Sequence, residues 1–421
     1  MGYRLVMICA LLIAVLGCAR ADGDTLATIP STIKIMPAVR CFSPCYSPDG
    51  KLISFLRGTN PQNDAELWVM DAGGQNTRPL FTKDQMTSAL FVHDLTIHLS
   101  FLPPDDPQRR AGAATAIPKS TFVRNYAWLP TSQSVICQVA TTQGKGGLYQ
   151  VMLDGSWRQI PHPLGFLYGL PLVAWGNFLL SPDGKEIAVV GDNGFFRAAI
   201  ESNAPTMKWN TGYAYHEASW GVDGRIYCAA TPLLQSREEF SGIYAIDSVG
   251  KFTPVIEPAK DERSPSLSPD GKQLAYVRGQ TLFMRELATQ KETVLCYAIT
   301  AYRWLPGGQL LATTRDVSAV GLRSDPMAPR EIREDIVLMN PGAVLPELRV
   351  LYRTTAIAAL VAGMPPFYRS GNTVVDLSQT RAGFPDRLPS YLLTLPDISP
   401  AGNRMVYEWE GALYLLDLSK Q

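Results

Sequence analysis

A four-residue sequence, Ser-Pro-Asp-Gly, occurs three times in this chain of 421 residues, at Ser47–Gly50, Ser181–Gly184 and Ser268–Gly271. A fourth copy, Ser399–Gly402, reads Ser-Pro-Ala-Gly. Proline fixes φ, an aspartate side chain caps a turn and glycine accepts a positive φ, so each copy predicts a tight corner. One reactive site does not need several copies of the same loop, whereas a repeated structural unit does. We therefore interpret the aspartates of these corners and of a related one as turn caps rather than catalytic carboxylates: Asp49, Asp183, Asp223 and Asp270.

Strand-like apolar sequences flank every corner. The residue before each of the seven corners, three of which have altered turn residues, is apolar: Tyr46, Trp128, Leu180, Trp220, Leu267, Trp304 and Ile398. A second strand follows each corner, and a third strand recurs further on, as in Glu66–Asp71. A fourth strand is suggested by short segments such as Thr77–Phe81 and Phe252–Ile256. Four short strands repeated roughly every 40 residues are typical of a β-propeller. The sequence therefore predicts an all-β fold, a single propeller of four-stranded antiparallel blades.

The repeat resembles that of TolB-type, WD40-like propellers. The resemblance rests on Ser-Pro-Asp-Gly followed by alternating apolar residues, and on a later apolar strand that ends in aspartate, as in Gly242–Asp247. It covers the chain from about residue 40 to the end. It implies partners among proteins of the bacterial cell envelope. TolB-type proteins carry a small α/β domain ahead of the propeller, for which the segment after Cys18 leaves no room, so we expect a different role. Related propellers accompany peptidase domains that contain a G-x-S-x-G motif, and this chain has none.

The number of blades is read from the corners. Seven repeats are legible, but Ser88–Leu102 and the region from Val350 to Thr394 fall in long intervals that leave room for a degraded eighth. Seven is the preferred count and eight the alternative. The last repeat ends on its third strand, within Ala412–Leu418, whereas Ser31–Pro37 reads as a strand ahead of the first repeat. We expect this N-terminal strand to supply the missing outer strand and to close the ring, which removes its open edges.

The N-terminus has the composition of an export signal. Arg4 precedes an apolar run from Leu5 to Leu16, which is too short to span a bilayer comfortably. The run ends Val-Leu-Gly before Cys18 and resembles the lipobox of bacterial lipoproteins, in which the cysteine is lipidated. Cleavage nearby without a lipid is the alternative. Residues 1–18 are thus predicted to be a signal peptide, 19–30 a linker and 31–421 the propeller, and Ala19 after the cysteine favours an outer-membrane anchor facing the periplasm. No other contact with the membrane is expected.

Charge and cysteine content exclude several functions. The chain contains 38 lysine and arginine residues and 38 aspartate and glutamate residues, so its charges balance. This balance argues against a nucleic-acid partner, because proteins that bind nucleic acids need a basic surface. No phosphate-binding glycine loop occurs. Five cysteines remain after the signal peptide, too few for a disulfide framework, and their spacing predicts no metal site. Cys137 and Cys228 are interpreted as buried small hydrophobes, and Cys41 and Cys45 can pair only if the chain turns between them. No catalytic residue, cofactor or metal is predicted.

Long segments on one face are the candidate binding elements. They include Gly58–Glu66, Thr231–Gly242 and the stretch from Arg315 to Asp335, although tolerated surface insertions are the equal alternative. The candidate face or channel residues are His216, which precedes an inner strand, and Arg237, Arg315 and Asp316 in these segments. The mixed charge of the Arg315–Asp335 stretch favours ion pairing within it over a ligand site.

The function expected from these features is that of a lipid-anchored protein-binding scaffold without enzymatic activity. The alternative is a propeller that binds or cleaves a polysaccharide at the mouth of its channel. Such a lyase needs several histidines around a metal in the channel, and this chain has four histidines in all.

Overall fold

The structure of the chain is a computed structural model, and it describes residues 33–36, 40–59, 64–90, 120–141, 146–160, 177–191, 194–201, 205–209, 213–232, 241–258, 261–319, 330–341, 347–359, 367–370, 373–376, 396–409 and 412–418. Within these ranges the chain forms strands and turns, with a single α-helix at residues 83–90.

Seven antiparallel sheets form a seven-bladed β-propeller, which confirms the predicted fold. Six of the sheets have four strands and the sixth in chain order has six. Each blade runs outward from an inner strand beside the central channel. The alternative of an eighth blade is wrong.

The strands of the first four blades follow one another along the chain, after an N-terminal strand β1 (Ile33–Met36). Blade 1 consists of β2 (Cys41–Tyr46), β3 (Leu52–Arg57), β4 (Glu66–Asp71) and β5 (Arg78–Phe81). Blade 2 consists of β6 (Thr121–Trp128), β7 (Ser134–Thr141), β8 (Gly146–Met152) and β9 (Trp157–Gln159). Blade 3 consists of β10 (Asn177–Leu180), β11 (Glu186–Gly191), β12 (Gly194–Ala199) and β13 (Pro205–Trp209). Blade 4 consists of β14 (Tyr213–Trp220), β15 (Ile226–Pro232), β16 (Gly242–Ile246) and β17 (Phe252–Ile256).

The remaining strands build three blades. Blade 5 consists of β18 (Glu262–Leu267), β19 (Gln273–Arg278), β20 (Thr281–Glu286) and β21 (Glu292–Cys296). Blade 6 consists of β22 (Ile299–Trp304), β23 (Leu310–Ala319), β24 (Arg330–Asn340), β25 (Glu347–Ala359), β26 (Phe367–Ser370) and β27 (Thr373–Asp376). Blade 7 consists of β28 (Asp397–Ile398), β29 (Arg404–Trp409) and β30 (Ala412–Asp417), completed by β1.

The repeated corners join the first and second strands of the blades, as predicted. In blade 1 the Ser47 hydroxyl donates to the Asp49 carboxylate at 2.6 Å, and the same carboxylate accepts the Lys51 N–H at 3.2 Å. The Ser47 hydrogen bond lowers the pKa of Asp49 below its ordinary value. Gly50 closes the turn with a φ of 70°. The corners of blades 3 and 5 repeat these bonds, so their aspartates are turn caps.

The corners also contact one another at one end of the channel. The Asp49 N–H donates to the Ser132 hydroxyl of the blade 2 corner at 3.0 Å. Pro400 of the blade 7 corner lies so close that a Cβ at Gly50 would sit 3.1 Å from its Cδ. A corner therefore needs glycine for its own φ and for the approach of the neighbouring corner.

The hydrophobic core lies between the blades. Alternate residues of each strand face one or the other neighbouring blade, so every blade is apolar on both faces. Tyr149, Tyr227 and Tyr276 are among the largest side chains that are fully buried there. Cys137 and Cys228 are buried free thiols whose pKa is raised by desolvation, which confirms that they act as small hydrophobes.

Ring closure occurs where the sequence predicts it. β1 pairs antiparallel with β30, with Ile33 opposite Leu415, Lys34 opposite Tyr414 and Met36 opposite Leu413. The first strand of the chain is therefore the outer strand of the last blade. Cys41 and Cys45, which follow on β2, are both free thiols, so the pairing left open by the sequence is not formed.

Blade 6 departs from the expected architecture. The stretch from Arg315 to Asp335 is not a loop throughout, because residues 315–319 continue β23 and residues 330–335 begin β24. Their register places Arg315 opposite Glu334 and Asp316 opposite Arg333. Opposite charges on facing strands stabilise such a ribbon, which accounts for the mixed charge of this sequence.

The described parts of the two intervals that left room for an eighth blade have other structures. β25, β26 and β27, which cover part of the region after Val350, extend blade 6 instead of forming a separate sheet. Residues 88–90 end the α-helix and are not strand, and residues 91–102 lie outside the described ranges.

Candidate functional site

The inner strands that surround the channel are interrupted at matching positions. Pairing with the second strand shifts register in five blades: between Phe42 and Cys45, Val123 and Asn125, Tyr215 and Ala218, Arg263 and Ser266, and Ile299 and Ala301. A β-bulge bends a strand and redirects a side chain, and bulges are common next to binding sites. The channel is therefore lined at one level by irregular backbone.

A polar residue lies in or directly beside each of these bulges. We call the set Ser43, Asn125, Glu217, Ser264 and Thr300 the channel ring. Four of them are solvent-exposed and Ser264 is half-buried, although each lies on an inner strand whose faces are covered by neighbouring blades. Exposed polar residues on inner strands form a candidate surface at the channel. Hydroxyl, amide and carboxylate groups on neighbouring inner strands can bind a ligand through hydrogen bonds.

Two bulges are fixed by tyrosines from the next blade. Ser43 and Ser264 have φ values of 49° and 50°, and each precedes a proline. The Tyr126 hydroxyl donates to the Ser43 carbonyl at 2.5 Å, and the Tyr302 hydroxyl donates to the Ser264 carbonyl. Burial raises the pKa of both tyrosines well above the ordinary value, so they remain neutral donors. The ring is thus held in place by bonds between blades 1 and 2 and between blades 5 and 6.

Glu217 is the acidic member of the channel ring. The Ser264 hydroxyl donates to its carboxylate and thereby links the inner strands of blades 4 and 5. The charge of Glu217 contributes to the raised pKa of Tyr302, which shows that the three groups lie close together. Because Glu217 is exposed, its carboxylate can accept further hydrogen bonds.

A buried carboxylate joins the blades on either side of the ring closure. Asp397 of blade 7 accepts the Tyr46 N–H of blade 1 at 2.5 Å and also the Arg303 guanidinium of blade 6. Arg303 donates in addition to the Pro396 carbonyl. Cys45 lies beside this carboxylate, and desolvation together with the charge of Asp397 raises the pKa of its thiol. The thiol is therefore protonated and unsuited to nucleophilic chemistry.

The candidate residues chosen from the sequence fall in different places. His216 lies in the bulge of β14, next to Glu217, but its side chain is outside the described part of the structure. The Arg315 N–H donates to the Ala298 carbonyl at 2.7 Å, and Asp316 follows on the part of β23 that extends beyond β22. Arg237 lies outside the described residues, as do the signal peptide and Cys18. Arg237 and the His216 side chain thus lie outside the described part of the structure, so a shared site for the four candidates stays a prediction.

Sequence analysis missed the channel ring, although a signal for it exists. Ser43, Asn125, Glu217 and Ser264 each lie three residues before the apolar residue that precedes a corner. A polar residue at this fixed position in a half-buried strand marks a place where the chain departs from regular alternation. Aligning the repeats on their corners would have identified four of the five members.

The described residues contain no group of three or more histidine, cysteine, aspartate or glutamate side chains placed to hold a metal ion. In the same part of the chain, no helix is long and apolar enough to cross a membrane.

Comparison with known proteins supports the fold and goes no further. No model of a protein family and no curated protein matches the sequence. Among solved structures, an oligogalacturonate lyase from Vibrio parahaemolyticus is similar with a TM-score of 0.54 and 12% identity, over 94% of this chain and 95% of that one. A chain of the mitotic checkpoint complex matches with a TM-score of 0.47 and 10% identity, over 95% and 98%. Together with the seven sheets, the first of these likenesses identifies the chain as a seven-bladed β-propeller.

Proposed function

We propose that this chain is an exported, lipid-anchored binding scaffold without enzymatic activity, which faces the periplasm and binds envelope proteins through the channel ring. The observation that carries the proposal is the ring itself, in which polar residues lie in or beside the bulges of five inner strands. A preformed polar surface on a rigid scaffold favours binding because little ordering is needed when the partner arrives.

The state of the neighbouring groups supports a binding role. Tyr126 and Tyr302 stay neutral and donate to backbone carbonyls. Cys45 stays protonated, and Asp397 is engaged by Arg303 and by backbone. General acids and bases work best when their pKa is near the operating pH and when they reach a substrate. The two tyrosines, Cys45 and Asp397 instead stabilise the geometry of the channel ring.

Export and anchoring are proposed from the N-terminal sequence. A charged residue, an apolar run and a terminal cysteine are the parts of a lipoprotein signal, and Cys18 is the residue that would carry the lipid. The resemblance of the repeats to those of TolB-type propellers supports partners in the same compartment.

Replacement of Cys18 tests the anchor. We expect the full chain to fractionate with outer membranes, and Cys18→Ala to appear in the soluble fraction, because one cysteine carries the attachment. Immunoblots of separated membranes and periplasm measure this. Cys9→Ala, within the apolar run, serves as the matched control and should leave the membrane fraction unchanged. Equal release of both variants, or retention of Cys18→Ala, would contradict lipid anchoring.

Photocrosslinking in cells tests the binding site. A benzophenone amino acid at position 125, in the channel ring, should give covalent adducts with envelope proteins on irradiation. The same amino acid at position 185 should give roughly tenfold fewer, since the Lys185 side chain is 81% exposed but lies at a corner, away from the ring. Mass spectrometry of the adducts identifies the partners. Equal crosslinking at both positions, or none at 125, would rule the ring out as the protein-binding surface.

Polysaccharide binding is the second candidate function. The hydroxyl, amide and carboxylate groups of the channel ring are of the kind that bind sugar hydroxyls, and His216 lies in one of its bulges. Metal content of the purified protein discriminates between the two functions. Bound metal that is lost in His216→Ala would favour a polysaccharide-cleaving enzyme, whereas a metal-free protein that crosslinks at position 125 favours the scaffold.

A further inference from the structure

A second polar depression lies far from the channel ring, at the corner end of blades 3 and 4. It is a groove of about 460 Å³ with three cationic side chains, Arg197, Arg225 and Lys251, in its lining. The hydroxyls of Ser248 and Thr253 also line it. We call it the blade 3–4 groove. Its volume is in the range of sites for small molecules.

Arg197 is held rigidly at one side of the groove. Two of its nitrogens donate to the Glu186 carboxylate, and its guanidinium carbon lies 4.9 Å from the centre of the Trp220 ring. Its side chain is only 13% exposed. An arginine fixed by a carboxylate and an aromatic face loses little side-chain entropy when it binds a ligand.

Arg225 is oriented in a similar way. Its Nε lies 3.0 Å from the Asp223 carboxylate, which also accepts the Tyr227 hydroxyl at 2.8 Å. Its side chain is 51% exposed, so the rest of the guanidinium remains accessible. The aspartate is thus directed toward its own corner and its own arginine.

The second acid that lines the groove, Asp247, is also engaged by its own turn. Asp247 accepts the Val249 and Lys251 backbone N–H groups at 3.0 and 2.8 Å. The Lys251 ammonium makes no ion pair with any carboxylate in the described ranges. Asp223 and Asp247 thus accept hydrogen bonds within their own turns, which leaves the Lys251 ammonium and part of the Arg225 guanidinium for a ligand.

The formal charge of the groups in and around the groove limits the charge of the ligand that it can bind. Arg197, Arg225 and Lys251 are balanced by Glu186, Asp223 and Asp247, so the formal charge is zero and the field suits one negative charge better than a phosphate dianion. Polar hydroxyls and oriented cations together fit a compact polyhydroxylated acid.

We propose that the blade 3–4 groove binds a small hydroxycarboxylate, whose carboxylate meets Lys251 and Arg225 and whose hydroxyls meet Ser248 and Thr253. This site is independent of the channel ring and of the proposed scaffold function. Hydrogen bonds to charged groups are stronger than those between neutral groups, so the carboxylate should dominate selectivity.

Three sugars of equal size test the proposal by calorimetry with the folded chain at low salt. We expect saturable 1:1 binding of glucuronate, roughly tenfold tighter than that of neutral glucose or cationic glucosamine. Lys251→Gln should weaken glucuronate binding about tenfold, while Lys272→Gln should leave it unchanged. Lys272 is the matched control because it is an exposed lysine beside a corner aspartate of blade 5, outside the groove.

Several outcomes would overturn the proposal. They are the absence of saturable glucuronate binding, equal affinity for glucose, and equal loss in the two lysine variants. Binding only by polymeric uronate, or equal binding by a short acidic peptide, would likewise overturn a site for a small hydroxycarboxylate. Both variants alter an exposed side chain, and Lys251→Gln keeps the backbone N–H that donates to Asp247, so thermal unfolding should confirm that they fold normally.

Discussion

A chain that begins at residue 39 should be less stable to unfolding than one that begins at residue 19, by roughly 3 kcal/mol. The deleted segment contains β1, whose three residue pairs with β30 provide several backbone hydrogen bonds. Each such bond contributes about 0.5–1.5 kcal/mol net. Removal also leaves β30 as an open edge, which promotes aggregation. Chemical denaturation followed by tryptophan fluorescence and circular dichroism measures the change.

A shorter deletion provides the control. A chain that begins at residue 31 lacks the predicted linker but retains β1, so its unfolding midpoint should match that of the longer chain. A synthetic peptide of residues 31–38, added in excess to the chain that lacks them, should restore part of the lost stability by binding as the outer strand. An unchanged unfolding midpoint after removal of β1 would show that closure by this strand does not stabilise the propeller.

Closure of the propeller depends on two contacts, which lie at different distances from the central channel. β1 joins the N-terminus to the outer edge of blade 7. Near the channel, Asp397 joins blades 6, 7 and 1 through Arg303 and the Tyr46 N–H. Sequence reasoning anticipated the first contact, because an incomplete last repeat and a spare first strand complement each other. It did not anticipate the second, since nothing local marks Asp397 as a partner of residues so distant in the chain.

The corners were predictable because their physics is local. Serine, aspartate and glycine within four residues determine the turn, and the hydrogen bonds of Ser47 and Asp49 confirm it. The blade number followed from counting such corners. The channel ring was harder to foresee, because two of its bulges are fixed by a tyrosine from another blade, as Tyr126 fixes Ser43. The extension of blade 6 was also missed, because charged strands such as β24 lack the apolar alternation that identifies a strand.

The largest effect of a single side chain is expected at Glu262 of blade 5. Glu262 is fully buried and its carboxylate lies 2.8 Å from Arg278 Nε. Arg278, whose side chain is 20% exposed, has a raised pKa, because the hydrogen bond to Glu262 and nearby negative charges outweigh its burial. Removal of one partner from a buried ion pair weakens the compensation of the charge that remains, here that of Arg278. Glu262→Ala should therefore lower the free energy of unfolding by about 3 kcal/mol.

Two other variants separate the lost charge from the lost contact. Glu262→Gln keeps the shape and an acceptor oxygen, so it should cost about half as much as Glu262→Ala. Glu201→Ala removes an equally close carboxylate, 2.6 Å from Arg158, but Glu201 is 81% exposed, and exposed pairs contribute at most about 1 kcal/mol. In Glu262→Ala, Arg278 keeps Glu292 at 3.4 Å and the Phe283 ring at 4.7 Å, which limits the loss. Equal destabilisation by Glu262→Ala and Glu201→Ala, measured by urea denaturation, would mean that burial does not set the strength of this pair.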